Sequence, residues 1–419
     1  MQILKPLANG PIARLWAGLS LAAIGDQLYR MALVWLAVQL AGSEAGWVST
    51  AEAAAVLATA LFAGAWTERW DQRRTMIGAD LVRGALALVP LVAWATGHLS
   101  LWTLVIPSVA VASLRGVFEP ALQASLPRLA PTPKLMIPTN ALMDATARIA
   151  RLVGPTLGGA LAAFMPTVGL MALTALTSLA SAVAITSLRR QLPRQVRDGR
   201  GSRLEMLLRG FRAIRGRPYF RYLLWRGGVV NGLWVVALWL CLPLAVQRGG
   251  LHAFGASGLA VVGLVMGAYG VGNVIGNLIV GGLNIRRPVA MILAGNGIVG
   301  LGLMLMGWAA AAAPAPLVAP LMMAASAFTA LGGPVTDVPM ATLRQTVFPL
   351  HEVAAVYRLS IVFDWGGMLV ATALAPLMLQ AVPPGVAIVL CGAGVIASTL
   401  AGLRYPSAPP DWQAATQGA

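Results

Sequence analysis

The chain has 419 residues, 58% of them hydrophobic and 11% charged, and a mean hydropathy of +0.76. Soluble domains carry about 25% charged residues, so an ordinary water-soluble enzyme is excluded, and long apolar runs between short polar links exclude a disordered chain. The net charge of +16 could suggest nucleic acid, but the basic residues gather in links on one side of the apolar runs, as membrane topology requires.

A membrane span needs about 20 mostly apolar residues. Twelve such runs are predicted: Leu15–Gln39, Trp47–Trp66, Met76–Ala95, Leu101–Leu122, Ala141–Phe164 and Val168–Leu188, then Tyr222–Val246, Leu259–Gly282, Val289–Ala309, Leu317–Val338, Ala354–Leu379 and Val386–Leu403. The first run is long, holds Asp26 and Arg30, and lacks a small-x-small site, so it reads as a span rather than a cleavable signal. The link Arg189–Arg217 holds ten basic residues, whereas the links on the opposite side hold one, Arg248, which puts both termini in the cytoplasm. Cys241 and Cys391 lie inside apolar runs and read as free, packed thiols.

The expected fold class is an all-α membrane protein of 12 transmembrane helices in two pseudo-symmetric six-helix bundles. The expected division is residues 1–188 and 218–404 for the bundles, 189–217 for an Arg-rich cytoplasmic linker and 405–419 for a polar tail. Within the linker, Leu204, Leu207, Leu208, Phe211 and Ile214 have the spacing of a short amphipathic helix, with a merely solvated connector as the alternative. Arg73–Arg74 and Arg286–Arg287, 213 positions apart, are a faint echo of duplication.

The most specific segment links the second and third runs: Gly64-Ala-Trp-Thr-Glu68-Arg69-Trp-Asp71-Gln-Arg73-Arg74. It resembles the cytoplasmic loop signature of the major facilitator superfamily, Gly-x-x-x-Asp-Arg-x-Gly-Arg-Arg, in the form found in the branch of macrolide efflux proteins and enterobactin exporters. It departs in Glu68, Gln72 and Trp66. Ile24-Gly25-Asp26-Gln27 is similar to that branch's opening motif. Phe118-Glu119-Pro120 through Pro127, followed by Asn140, is similar to its connection between the fourth and fifth spans. Gly154-Pro155-Thr-Leu-Gly158-Gly159 resembles the fifth-span motif associated with antiporters, although the glycines upstream are missing. Leu207 to Pro218 matches the start of a second half, whose copy of the loop signature keeps only Arg286 and Arg287. The resemblance implies a cytoplasmic gate at Gly64, Glu68, Arg69, Asp71, Arg73 and Arg74. A plain basic anchor is the alternative.

Charges inside a bilayer cost about 2.5–3.5 kcal/mol each at its centre, so each is a functional candidate. Asp26 and Arg30 stand four residues apart in the first run, and Arg115 and Glu119 repeat this spacing in the fourth. Arg226 and Asn231 lie in the seventh, Asp337 near the cytoplasmic end of the tenth, and Asp364 in the eleventh. The resemblance implies that spans one, four, seven and ten line a cavity, which places these residues at a proton and substrate site. Asp26 is the expected proton-carrying carboxylate and Arg115 its expected partner, with fixed Asp26–Arg30 and Arg115–Glu119 ion pairs as the alternative. Asp144, Arg148, Arg151 and Arg358 are expected near cytoplasmic helix ends, and Glu52 near the outer end of the second span.

Trp234, Trp239 and Trp365 could stack on an aromatic substrate. His98, His252 and His351 fall in links, and the sequence offers no metal-ligand spacing, catalytic triad or ATP-binding loop. The expectation is therefore a proton-coupled exporter of an amphipathic small molecule (a siderophore, macrolide or other drug) in the bacterial inner membrane. It is expected to be monomeric, to need no cofactor beyond the proton gradient, and to bind no nucleic acid. A lysophospholipid transporter or siderophore importer of the same fold is the alternative, with a transporter-like sensor or an intramembrane enzyme as readings from other classes.

Overall fold

The computed structural model describes residues 2–62, 70–130, 132–189, 210–281, 283 and 285–417. The chain is nearly all helix. Its long helices are α1 (Gly10–Ala41), α2 (Gly46–Phe62), α3 (Gln72–Ala95), α4 (Leu101–Leu129), α5 (Pro133–Leu161) and α6 (Thr167–Thr186). They continue with α7 (Pro218–Gly249), α8 (Leu259–Gly281), α9 (Pro288–Ala312), α10 (Ala315–Val347), α11 (Leu350–Ala381) and α12 (Pro384–Leu400). A two-stranded hairpin, β1 (His252–Ala253) and β2 (Ala256–Ser257), joins α7 to α8, and a short α13 (Pro410–Gln417) follows α12.

Local chemistry starts and stops these helices. Pro133, Pro218, Pro288 and Pro384 stand in first turns, where the missing N–H is no loss. Asp71 caps α3 by accepting from the Arg74 amide at 2.8 Å, and Ser100 with Thr103 forms a reciprocal capping box on α4. Within α7 the turn Val236–Cys241 is π-helical, just before Pro243 removes a backbone donor.

Among the described residues, nine helical stretches are long and apolar enough to cross a membrane. The difference from the twelve predicted runs is local. Helices α1 and α2 form one stretch through the short turn Gly42–Ala45, α5 carries Lys134, Asp144, Arg148 and Arg151, and α12 has only 17 residues.

The chain divides into two compact units, Met1–Ala41 with Ala54–Gly201, and Gly42–Ala53 with Ser202–Ala419. In the first, α1 packs on α5 and α6, and α3 on α4 and α6. The second repeats that pairing: α7 packs on α11 and α12, and α9 on α10 and α12, with α8 added against α10. This repeated pattern is a stronger mark of duplication than the arginine echo.

The segment Gly42–Ala53 belongs to the second unit although it opens α2. A Cβ on Gly46 would lie 3.0 Å from Pro376 and 3.2 Å from Leu240, and Thr50 Oγ1 donates to Thr372 Oγ1 at 3.1 Å. The tail is likewise part of the second unit's core rather than a polar appendage. Trp412 is buried with Phe220, Val289, Leu343 and Phe348, and the Val289 amide donates to the Ser407 carbonyl at 3.2 Å. Of the linker's amphipathic segment, residues 210–214 are helical, with Ile214 buried and Phe211 against Phe363. Leu204, Leu207 and Leu208 lie outside the described residues.

Candidate functional site

Each unit holds a cluster of charges among its helices, with Asp80 and Arg83 buried in the first and Arg226 in the second. In the first, four helices, α3 to α6, come up to the turn that carries Asp26, near the middle of α1. Gly25 lets α6 approach: any Cβ there would overlap the Thr177 side chain, and Thr174 Oγ1 donates to the Gly25 carbonyl at 2.7 Å. On the other flank Gly154 of α5 sits on Gln27, and a Cβ on Gly158 would lie 3.4 Å from both Leu28 and Met31. Pro155 and Gly159 are buried in the same turn of α5. The antiporter-like motif thus seats α5 on the α1 turn that carries Asp26.

Asp26 is held by two guanidiniums from other helices. Arg83 of α3 donates to Oδ1 from Nη2, and Arg115 of α4 reaches Oδ2 at 3.2 Å. Arg83 also donates through Nη1 to Asp80 Oδ1 at 3.2 Å, and both Arg83 and Asp80 are buried. Arg30 adds its charge toward Asp26 from the same helix. Glu119 accepts from Gln123 Nε2 at 2.8 Å, and Arg115 is turned to Asp26. Asp26 and Arg115 are therefore brought together. Asp80 and Arg83 are the residues that sequence reading passed over. Their signal was available, since two opposite charges three residues apart stand inside the third predicted span.

In the second unit α7 crosses α11 at glycines. The Cα of Gly228 faces the Phe363 carbonyl, and a Cβ on Gly232 would lie 2.5 Å from the Gly367 carbonyl. This close crossing puts Arg226, Asn231 and Asp364 on one seam. Asn231 Nδ2 donates to the Asp364 carbonyl at 3.1 Å, and a Cβ on Gly227 would stand 3.3 Å from Asp364 Oδ1. Arg226 is 2% exposed, within electrostatic reach of Asp337 and Asp364, and its Nε and Nη1 find no hydrogen-bond partner among the described residues. Arg344 of α10, which donates to Ser360 Oγ at 3.4 Å and lies over the Tyr357 ring, feels the same Asp364. Trp234, two turns beyond Arg226, pairs with Tyr269 of α8 at 5.8 Å between centroids. Trp239 is buried and Trp365 half-buried.

Helix lengths move several residues from their expected positions. Helix α10 runs on to Val347, so Asp337 lies about 15 Å short of its end at 1.5 Å per residue rather than close to it. Arg148 and Arg151 lie mid-helix in α5, because that helix begins eight residues before the predicted run. Glu52 falls in the first half of α2. Of the expected gate, Gly64, Glu68 and Arg69 lie outside the described residues. Asp71 serves as the α3 cap, Arg73 is half-buried and Arg74 exposed. Both cysteines are free and buried, and no cluster of His, Cys, Asp or Glu suited to a metal occurs among the described residues.

Two bundles of apolar helices with the same internal pairing, each with buried and partly compensated charges, define a helical membrane transporter. The chain belongs to the Major Facilitator Superfamily, whose profile matches residues 15–260. It is 31% identical over 188 residues to the multidrug efflux pump Tap of Mycobacterium tuberculosis, a match covering 43% of this chain and 44% of that protein, so less than half of the relative's length is matched. It is 28% identical over 293 residues to y4rN, an uncharacterised transporter of this type from Sinorhizobium fredii, covering 69% of this chain and 67% of the other. Among solved structures, a POT family transporter in complex with 5-aminolevulinic acid aligns with a TM-score of 0.75 at 12% identity, over 94% of this chain and 95% of that one. A bacterial homologue of the iron transporter ferroportin aligns with a TM-score of 0.70 at 14% identity, over 94% and 98%. At such identities these two comparisons speak for the fold alone.

Proposed function

We propose that the protein is a proton-coupled exporter of an amphipathic small molecule, working by alternating access in the bacterial inner membrane. All twelve long helices cross the bilayer in this reading, with both termini in the cytoplasm. The observation that carries it is the Asp26–Asp80–Arg83–Arg115 cluster. Buried Asp80 and half-buried Asp26 share one guanidinium there, so a proton gained or lost redistributes the ion pairs among α1, α3 and α4 instead of leaving a bare charge. One charge crossing 100 mV yields about 2.3 kcal/mol toward such a redistribution. The mycobacterial relative is named a multidrug efflux pump, and this supports export. In the second unit, the Arg226–Asp364 seam beside the Trp234–Tyr269 pair suits a substrate with a polar end and a flat apolar body.

The test is proton movement in energised everted vesicles, followed with a pH-sensitive dye while catechol siderophores, macrolides and lipophilic cations are added in turn. Proton release evoked by one class in vesicles that hold the protein, and absent from control vesicles, is the expected outcome. Binding of a compound to purified protein without any evoked release would defeat proton coupling.

A further inference from the structure

We propose that Asp80 of α3, rather than Asp26 of α1, is the carboxylate that takes up and gives back the coupled proton, with Arg83 shared between the two acids as the switch. This rests on the proton-coupled reading above.

The two acids are unequally served. Asp26 has a guanidinium on each oxygen, Arg83 on Oδ1 and Arg115 on Oδ2. Asp80 has only a share of Arg83, at 3.2 Å through Oδ1. Its side chain is fully buried, and its Oδ2 makes no hydrogen bond of good geometry among the described residues. The charged groups facing Asp80 can be taken helix by helix. Its own helix gives Arg83. From α1 come Asp26 and, one turn on, Arg30. From α4 comes Arg115, already bound to Asp26, while Glu119 of α4 is exposed and holds Gln123. Helix α6 has no ionisable residue and brings only the buried hydroxyls of Ser178 and Ser181, the latter beside Asp80.

An ionised carboxylate cut off from water is costly unless both oxygens are compensated, and Asp80 is compensated on one. A proton bound at Oδ2 removes that cost and creates an O–H donor beside the Ser181 hydroxyl, which can accept it. The chemistry is a simple proton transfer. The O–H bond forms as a hydronium ion on the acidic side gives up a proton and becomes water, and Arg83 is then left to Asp26 alone. On release the O–H bond breaks, the proton passes to water on the other side, its electron pair stays on the carboxylate, and Arg83 is again shared. Substrate binding that draws Arg83 toward or away from Asp26 would thereby set whether Asp80 keeps its proton.

The experiment is infrared difference spectroscopy of the full-length protein in liposomes, titrated over the acidic to neutral range. A protonated-carboxyl C=O band should grow as pH falls in the wild type, grow only at lower pH in Asp26→Asn, where Arg83 is left to Asp80 alone, and be lost in Asp80→Asn. Ser181→Ala, which removes only a hydroxyl, should keep the band and move its frequency, and this holds the test open if Asp80→Asn fails to fold. A wild-type band unchanged in Asp80→Asn, absent at every pH or unshifted in its titration in Asp26→Asn, or unmoved in Ser181→Ala would overturn the proposal. The vesicle assay separates the two ideas. A band that follows Asp80 without any evoked proton release defeats antiport and leaves Asp80 as the protonation site. Evoked release that persists in Asp80→Asn defeats the role of Asp80 and leaves antiport standing.

Discussion

At the scale of single residues, the close helix crossings depend on glycines that have no room for a side chain. Gly228 is the clearest, because a Cβ there would run into the backbone carbonyl of Phe363, which cannot swing aside as a side chain could. Gly297, inside α9, has open space around it. Gly228→Val should therefore destabilise the protein by about 1–3 kcal/mol through overpacking. Gly297→Ala should be neutral or gain about 0.5–1 kcal/mol from helix propensity. Thermal unfolding of the purified variants, followed by tryptophan fluorescence, checks both, and equal midpoints would refute the packing argument. At this scale the sequence was partly readable. Asp26, Arg115, Arg226 and Asp364 announced themselves as charges within apolar runs, and the structure joins Asp26 to Arg115. Asp80 and Arg83 carried the same signal, but no motif drew attention to them. Their importance comes from where α3 faces, which the order of residues does not state.

At the scale of elements, the tail behaves unlike its composition. Its Pro, Ser and Ala residues read as a polar extension, yet Asp411 accepts from Arg217 Nε at 3.0 Å and from the Tyr219 hydroxyl at 2.8 Å, tying α13 to the start of α7. Arg217 in turn donates to the Ala213 carbonyl and lies over the Phe348 ring. Trp412 fills the core between α7, α9 and α10. Trp412→Ala should cost about 3–5 kcal/mol, as for other buried tryptophans, whereas Asp411→Asn should cost about 1 kcal/mol or less, because it loses only a partly exposed ion pair. Deleting residues 406–419 should lower the melting midpoint at least as far as Trp412→Ala. Hydrogen exchange at the first turn of α7 should rise in the truncated protein, and unchanged exchange there would show that the tail is no clasp. A single tryptophan in a polar stretch is weak evidence for burial, so the docking of α13 was not legible beforehand.

At the scale of the whole molecule, the one-sided arginines make a definite topological prediction. With the native cysteines buried, His252→Cys in the link after α7 should react with a membrane-impermeant maleimide in intact cells, and Ser407→Cys in the tail only after permeabilisation. The reverse pattern would invert the orientation and with it the direction of proposed transport. The places of the apolar runs, the charges within them and the duplicated design could be read from the sequence, because transfer from water to lipid is a local free energy summed over about 20 residues. The starts of α3, α4 and the proline-led helices were equally local, set by caps and first-turn prolines. Only the tertiary structure decided which acid meets which guanidinium. Asp26 and Arg83 are 57 residues apart on different helices, and their meeting depends on the rotation of each helix about its axis and on glycines that allow the crossing. Coulomb energy falls off with distance through space, and distance through space is a property of the packed helices and not of the chain.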